Sequence, residues 1–285
     1  MTTAPDEATA RISPPRSLLF VPASRPDMIA KTPRWRPDIV VVDLEDAVAA
    51  AAKDSARAGG LEGAEAIAGE VTVLVRVNPR DSSWFQDDLA AVAGSGVHGV
   101  VLPKYESVDD ARAVREALPE TAVLLVGLET ARGVAACEEL LGDADVDAAY
   151  FGAEDYAVDV GGRRTAAGTE VLYARSRVLL AARLGHVGAI DQAVVDIGDD
   201  DRFVADAEAG SAIGYSGKIC VHPRQVGLAH GVFAPSQRDV EHARAVLQMA
   251  ERSGVGLVDG KMTDEVHVRW ARQVLQRAER RTEDR

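Results

Sequence analysis

Charged side chains follow five of the chain's short apolar runs. When an apolar run is followed by a carboxylate or a guanidinium, that group lies where a strand ends and a loop begins. Taken singly, each such residue is equally well explained as an ordinary solvated loop residue; the whole set favours a site. The segments are residues 43–46 (DLED), 76–79 (RVNP), 103–104 (PK), 129–132 (ETAR) and 152–155 (GAED).

Two of these acids, Glu129 and Asp155, are candidates for a metal site. They follow consecutive apolar runs, so that in a parallel sheet they would end adjacent strands. Mg²⁺ prefers one or two carboxylates and leaves its other positions to water and substrate oxygens. The alternative is a pair of loop acids without a common ligand.

Arg76 directly follows the third apolar run, where a guanidinium could pair a substrate carboxylate in bidentate fashion or offset developing oxyanion charge. Its structural alternative is an ion pair with Asp43 or Glu45. Lys104 and Lys218 lie near other strand ends, where a Schiff-base aldolase would carry its amine, although the surrounding carboxylates should raise their pKa rather than lower it.

The elements that carry these residues alternate between apolar, β-rich runs and Ala-rich amphipathic stretches. Such alternation favours a parallel sheet, and eight strands favour closure into a TIM-type (β/α)8 barrel. A doubly wound open sheet is the alternative, weakened by the lack of a Gly-rich dinucleotide fingerprint after a strand. The predicted strands are residues 17–22, 39–44, 71–77, 99–103, 122–128, 148–151, 189–195 and 217–221.

The chain is expected to divide into three parts. Residues 1–15 are polar and contain prolines, which predicts a mobile tail, and residues 16–230 form the barrel. Residues 231–285 form a C-terminal helical extension, with helices at 236–252 and 264–280 joined by a Gly-rich link at 254–260. An extension of this kind often packs on a neighbouring subunit.

Composition limits the partners. A formal net charge of -13 over 285 residues disfavours electrostatic capture of nucleic acid or of an anionic membrane surface. The two cysteines, Cys137 and Cys220, lie far apart without metal-type spacing, which indicates a reduced, cytoplasmic protein without a disulfide framework. The apolar runs are too short to span a membrane.

A set of short motifs, in this order along nearly the whole chain, resembles the citrate lyase β-subunit-like family of CoA ester lyases. Any one of them is weak evidence, but the ordered set is specific. They are residues 16–22 (RSLLFVP), 41–48 (VVDLEDAV), 76–79 (RVNP), 102–104 (LPK), 128–133 (LETARG), 151–155 (FGAED) and 217–225 (GKICVHPRQ).

The resemblance implies a TIM barrel, usually a homotrimer, that uses Mg²⁺ to cleave or form the bond between an acetyl-CoA unit and a 2-oxo acid. It implies that Glu129 and Asp155 bind the metal, with Glu129 also near the substrate, and that Arg76 binds the substrate. Further assignments implied in the same way are carboxylates at Glu45 and Asp46 that hold metal-bound water or position Arg76, backbone contacts to the oxo acid at Gly152 and Ala153, and a catalytic acid/base at Asp264 that acts in an adjacent subunit.

Other functions fit the same residues. Malate synthase-like or thioesterase activity could use the same site, and Schiff-base chemistry would use a lysine instead of a metal. A non-catalytic binding subunit would keep the barrel as a docking surface, but it would have no need to retain Arg76, Glu129 and Asp155.

Overall fold

The computed structural model of the protein describes residues 12–142, 145–253 and 255–283. The chain forms two compact units, the first ending at His230 and the second beginning at Gly231. Of the predicted tail, residues 1–11 lie outside the described residues, while Ile12 packs against the barrel core. In the described part of the chain, no helix is both long enough and apolar enough to cross a membrane.

Eight parallel strands close into a barrel, with β1 paired to both β2 and β8. The prediction of a TIM barrel is therefore confirmed. The strands are β1 (Ser17–Pro22), β2 (Ile39–Asp43), β3 (Thr72–Arg76), β4 (Gly99–Leu102), β5 (Val123–Leu128), β6 (Ala148–Phe151), β7 (Gly188–Asp191) and β8 (Gly217–Cys220).

Every strand contributes to one apolar cluster inside the barrel, where Val41, Leu74, Leu125 and Tyr150 are buried. Because successive strand residues point to opposite faces, the residue two positions after an inward apolar residue also points inward. In several strands, the last inward-pointing residue therefore lies at the carboxyl end of the barrel. TIM-barrel enzymes carry their active sites at this end.

Helices connect the strands. β2, β4 and β6 are buried along their whole length, as expected for strands of a parallel sheet covered by helices. The helices are α1 (Pro26–Ile29), α2 (Lys53–Ile67), α3 (Phe85–Ala93), α4 (Val108–Ala117), α5 (Ala131–Gly142), α6 (Ala153–Asp159), α7 (Leu172–Leu184), α8 (Asp200–Ile213) and α9 (Pro223–Phe233).

The seventh strand is shorter than predicted, because it ends at Asp191 rather than at residue 195. Its pairing with β6 ends at Ile190 and its pairing with β8 ends at Asp191, so the following residues have no ladder partner. The carbonyl of Val194 accepts a hydrogen bond from Gln225 Nε2 instead.

The second unit packs α10 (Gln237–Ser253) against α11 (Glu265–Glu283), around a small apolar core that includes Val246, Val268 and Val274. The predicted Gly-rich link is wrong in part, because β9 (Gly256–Val258) and β10 (Lys261–Thr263) form an antiparallel hairpin. Asp259 and Gly260 both have positive φ, as a tight two-residue Asp-Gly turn requires.

Candidate active site

A cavity of about 260 Å³ lies at the carboxyl ends of the strands. A larger cavity of about 390 Å³ lies at the opposite, amino-terminal ends of β3 to β5, and its lining includes no carboxylate among the described residues. The charged residues that follow the strands therefore make the smaller cavity the candidate active site. Its lining includes Phe20, Asp43, Arg76, Glu129, Tyr150, Gly152, Ala153 and Asp155.

Seven charged residues at this end of the barrel form what we call the rim cluster. Two are cations and five are carboxylates, so the cluster is acidic as a whole. Its members are Asp43, Glu45, Asp46, Arg76, Lys104, Glu129 and Asp155.

Arg76 forms ion pairs with both Asp43 and Glu45, the partners expected for a structural role of its guanidinium. Its Nε and Nη2 donate to the two oxygens of Asp43 at 2.7 and 2.6 Å, and Nη1 lies 2.9 Å from Glu45 Oε2. Burial alone would lower the pKa of Arg76, but the charge and hydrogen bonds of Asp43 together with the charge of Glu45 outweigh it and hold that pKa well above its ordinary value. The guanidinium also lies over the ring of Phe20, 5.1 Å from its centroid, and lines the cavity as a fixed cation.

Glu129 is buried at the base of the cavity, with only 2% of its surface exposed. Oε1 accepts a hydrogen bond from the backbone N–H of Lys104 at 2.8 Å, and Oε2 accepts one from Tyr150 Oη at 2.9 Å. Burial, followed by the negative charge of Glu45, raises the pKa of Glu129 to about 7. Glu129 thus keeps its proton to a higher pH than an ordinary glutamic acid.

Gly152 and Ala153 lie beside Glu129, where β6 passes into α6. A Cβ built on Gly152 would come within 2.4 Å of Glu129 Oε2, so any larger residue would displace this carboxylate. Asp155, in the first turn of α6, has 38% of its side chain exposed and lines the same cavity. The pairing of β5 with β6 brings the two candidate metal ligands together.

Lys104 connects three parts of the rim. Its φ of 49° places a non-glycine residue in the left-handed region. In this conformation its N–H bonds Glu129 while its ammonium hydrogen-bonds Glu45 and lies 3.6 Å from Asp46 and 3.7 Å from Asp155. Residue type alone indicates no role for Lys104 beyond that of a candidate amine, because it does not reveal a left-handed backbone.

The loop after β2 is supported from behind by Lys53, which sequence reasoning missed. Its Nζ donates to the carbonyls of Leu44 and Glu45 at 2.6 and 2.7 Å and to Asn78 Oδ1 at 2.6 Å. These bonds tie the loop that carries Glu45 to the loop that follows β3. A lysine at the start of a helix gives no sequence signal for such a role.

The contacts of both lysines disfavour Schiff-base chemistry. Burial would lower the pKa of Lys104, but its hydrogen bond to Glu45 and the neighbouring carboxylates raise that pKa well above its ordinary value, so the amine stays protonated. Lys218 does not reach the rim cavity: it is completely buried, with Nζ 2.9 Å from Asp191 Oδ2 and in contact with Asp206. A protonated or enclosed amine is a poor nucleophile.

Asp264 belongs to the second unit and precedes α11. Its Oδ1 accepts from the backbone N–H of Val266 at 3.0 Å and lies 2.8 Å from His267 Nδ1. The hydrogen bond with His267 lowers the pKa of Asp264 below its ordinary value. The side chain of Asp264 is 39% exposed, and its partner His267 can stabilise the ionised form.

The rim cluster fits a divalent cation. Glu45 and Asp155 both contribute to the raised pKa of Glu129, and this mutual repulsion is what a cation would relieve. Across residues 12–142, 145–253 and 255–283, no group of three or more His, Cys, Asp or Glu side chains has the arrangement of a metal site. Two carboxylates with the remaining positions left to water and substrate agree with the preference of Mg²⁺.

Comparisons with known proteins agree with this geometry. The sequence model of the HpcH/HpaI aldolase/citrate lyase family matches residues 16–223, and that of a C-C bond lyase of the TIM-barrel fold matches residues 170–280. The chain is 47% identical over 273 residues to a citrate lyase subunit beta-like protein of Deinococcus radiodurans, covering 91% of this chain and 96% of that protein.

Two further relatives bear on the chemistry. A (3S)-malyl-CoA thioesterase of Cereibacter sphaeroides is 34% identical over 274 residues, covering 93% of this chain and 95% of that protein. The crystal structure of protein CitE from Mycobacterium tuberculosis in complex with magnesium, acetoacetate and coenzyme A matches with a TM-score of 0.82 and 31% identity, covering 94% of this chain and 99% of that one.

Proposed function

Because the chain belongs to the HpcH/HpaI aldolase/citrate lyase family, we propose that it is a Mg²⁺-dependent carbon–carbon lyase acting on a 3-hydroxyacyl-CoA. Citramalyl-, malyl- or citryl-CoA would be cleaved into acetyl-CoA and a 2-oxo acid. The observation that carries the proposal is the convergence of Arg76, Glu129 and Asp155 on one cavity at the carboxyl end of the barrel. The CitE structure with magnesium, acetoacetate and coenzyme A supports it.

In this proposal Glu129 and Asp155 hold the Mg²⁺. When bound there, the ion would supply positive charge that stabilises negative charge developing on a substrate oxygen. Gly152 leaves the space that Glu129 needs, and the N–H of Lys104 fixes one of its oxygens. The chain's own residues thus provide two carboxylates in a cavity that can admit a chelating substrate.

Arg76 would bind the carboxylate of the oxo-acid portion. Its guanidinium is already oriented by Asp43 and Glu45, so little conformational freedom is lost when substrate binds. Gly152 and Ala153 line the same cavity and would contact that carboxylate through the backbone. Glu45 would keep Arg76 in place, and Asp46 would hold water at the mouth of the site.

Asp264 is the proposed acid/base that passes a proton to or from the acetyl carbon. We propose that it acts within a homotrimer, from one subunit into the site of another. His267 favours its ionised form, which is the form that can accept a proton. Mixing an Asp264→Asn protein with an Arg76→Ala protein tests this arrangement: subunit exchange should restore part of the activity that each lacks, and no recovery would contradict action between subunits.

The decisive experiment is release of acetyl-CoA from malyl-CoA, citramalyl-CoA and citryl-CoA by the purified protein, with Mg²⁺ and again with excess EDTA. Cleavage of at least one thioester that stops with EDTA is the expected result. An absence of cleavage across all three, with Mg²⁺ present, would contradict the lyase.

Thioester hydrolysis is the second candidate, because a relative named a (3S)-malyl-CoA thioesterase covers nearly the whole chain. The same assay separates the two reactions when all products are measured. A lyase releases acetyl-CoA and the oxo acid without free CoA, whereas a thioesterase releases free CoA and the intact hydroxy acid. Added oxo acid should slow net cleavage only in the lyase case.

A further inference from the structure

We propose that Tyr150 is a positioning residue that orients Glu129 for the divalent cation. The inference rests on the proposed function, in which Glu129 is a metal ligand. Tyr150 lies on β6 inside the barrel with 1% of its surface exposed, and it lines the cavity.

The contacts of Glu129 show how its carboxylate is held. Tyr150 Oη donates to Oε2 from within the barrel, and the backbone N–H of Lys104 donates to Oε1 from the loop after β4. Two donors on two different oxygens fix the plane of the carboxylate as well as its position. An ionised carboxylate has about four lone-pair sites, so two accepted hydrogen bonds leave others for a cation.

The barrel wall is shaped to admit the phenol. Gly127 is the Cα partner of Tyr150 in the β5–β6 register. A Cβ built on Gly127 would come within 2.3 Å of Tyr150 Oη and 2.4 Å of Cζ. The space next to Glu129 is therefore available to the hydroxyl end of the tyrosine because the neighbouring strand carries a glycine there.

The hydroxyl has a polar role that packing alone does not explain. A phenylalanine would fill the same core and keep the edge-to-face contact with Phe20, whose ring centroid lies 6.3 Å away. In the described part of the chain, Glu129 is the hydrogen-bond partner recorded for Tyr150 Oη. Groups that hydrogen-bond a metal ligand commonly contribute about 10–100-fold to metal affinity or activity.

The test is the Tyr150→Phe variant, with Tyr215→Phe as its matched control. Tyr215 is also buried in the barrel unit, and its hydroxyl donates to the carbonyl of Arg175 at 2.8 Å. Mg²⁺ is titrated calorimetrically into each EDTA-stripped protein. Tyr150→Phe should raise the Kd for Mg²⁺ roughly 10-fold, whereas Tyr215→Phe should leave it within about twofold.

Kinetics separate positioning from a purely structural contribution. For Tyr150→Phe, the Mg²⁺ concentration for half-maximal activity should rise with the Kd, and saturating Mg²⁺ should return kcat to within about threefold of the natural protein. Loss of kcat with an unchanged Kd would overturn the proposal.

Glu129→Gln distinguishes failure of this inference from failure of the proposed function. If the natural protein binds Mg²⁺, Glu129→Gln does not, and Tyr150→Phe binds as tightly as the natural protein, then the role of Tyr150 is wrong and the lyase proposal stands. If the natural protein neither binds Mg²⁺ nor cleaves a thioester in a metal-dependent way, both proposals are wrong.

Discussion

The barrel unit contains two groups of charged side chains that differ in what encloses them. The rim cluster surrounds the cavity at the strand ends. A second group, the enclosed cluster, joins β7 and β8 to α7 and α8 and has little solvent access. Its members are Arg175, Asp191, Asp206 and Lys218.

The balance of charge separates the two clusters. In the enclosed cluster two cations face two carboxylates. Burial alone would raise the pKa of Asp206, but Lys218 and Arg175 together lower it. In the rim cluster two cations face five carboxylates, and the pKa of Glu129 is raised to about 7. A charge-balanced, enclosed group joins strands to helices, whereas surplus acid at a cavity is what the proposed Mg²⁺ site requires. Mutations should separate these roles.

Glu129→Gln should have the largest effect on activity. The amide keeps the size of the side chain but removes a charged ligand, so kcat/KM should fall by roughly 10³-fold, the scale of losing one preorganised electrostatic contact or more. Acetyl-CoA release with increasing Mg²⁺ measures it, and Glu139→Gln on the exposed face of α5 is the control. Activity within tenfold of the natural protein would contradict a ligand role for Glu129.

Asp191→Asn should affect stability rather than metal binding. Asp191 is completely buried and contacts both Arg175 and Lys218, so its neutralisation leaves two buried cations with a single carboxylate. Breaking a buried ion pair in this way costs about 3–5 kcal/mol. Urea unfolding measures the loss, and the Kd for Mg²⁺ should not change. A loss below about 1 kcal/mol would show that the cluster is better solvated than its burial indicates.

Stability in EDTA should fall as the pH rises from about 4.5 to about 7. The pKa of Glu129 is about 7 in the folded protein against an ordinary value of 4.5, so the folded state binds the proton more tightly than the unfolded state. The resulting stabilisation is present at low pH and is lost as pH rises through this window, up to roughly 3 kcal/mol. Thermal unfolding across pH 5 to 8 measures the slope.

Glu129→Gln is again the comparison, because it removes the titrating group. Its unfolding temperature should vary less with pH than that of the natural protein in EDTA. Equal slopes for the two proteins would show that Glu129 does not titrate in this range and would weaken the contrast between the two clusters.

The fold was readable from the sequence because strands covered on both faces are continuous apolar runs. The same rule extended β7 too far, since residues 193–195 are apolar but have no strand partner after Asp191. The hairpin of the second unit was missed because its strands are three residues long, although Asp259-Gly260 is a turn signal. In both cases the extent of the strand depends on backbone pairing with a neighbouring strand, which residue composition does not reveal.

The sequence predicted those parts of the candidate site that depend only on the order of the strands. Consecutive strands of a barrel are neighbours, so Glu129 and Asp155 were expected to lie together. The contact of Tyr150 with Glu129 depends on the β5–β6 register and on Gly127, and the contact made by Lys104 depends on a left-handed backbone. Neither register nor local backbone conformation follows from residue type, so these supporting residues required the structure.

Asp46→Asn should have the smallest effect and shows how far the rim cluster extends. Asp46 has 61% of its side chain exposed and lies 3.6 Å from Lys104, whereas its neighbour Glu45 is buried against Arg76 and Lys104. Exposed pairs are screened by solvent and contribute about 1 kcal/mol or less. We therefore expect kcat/KM to change by less than about fivefold and stability to change little.

Glu45→Gln is the matched comparison for Asp46→Asn, because it removes the neighbouring charge from a buried position. It leaves Lys104 without its hydrogen-bonded carboxylate and Arg76 with Asp43 alone, so kcat/KM should fall by more than about tenfold. If both variants lost activity equally, Asp46 would contribute far more than an exposed, solvent-screened charge and would act directly on the substrate. The part of the rim cluster that takes part in the reaction would then include its most exposed carboxylate.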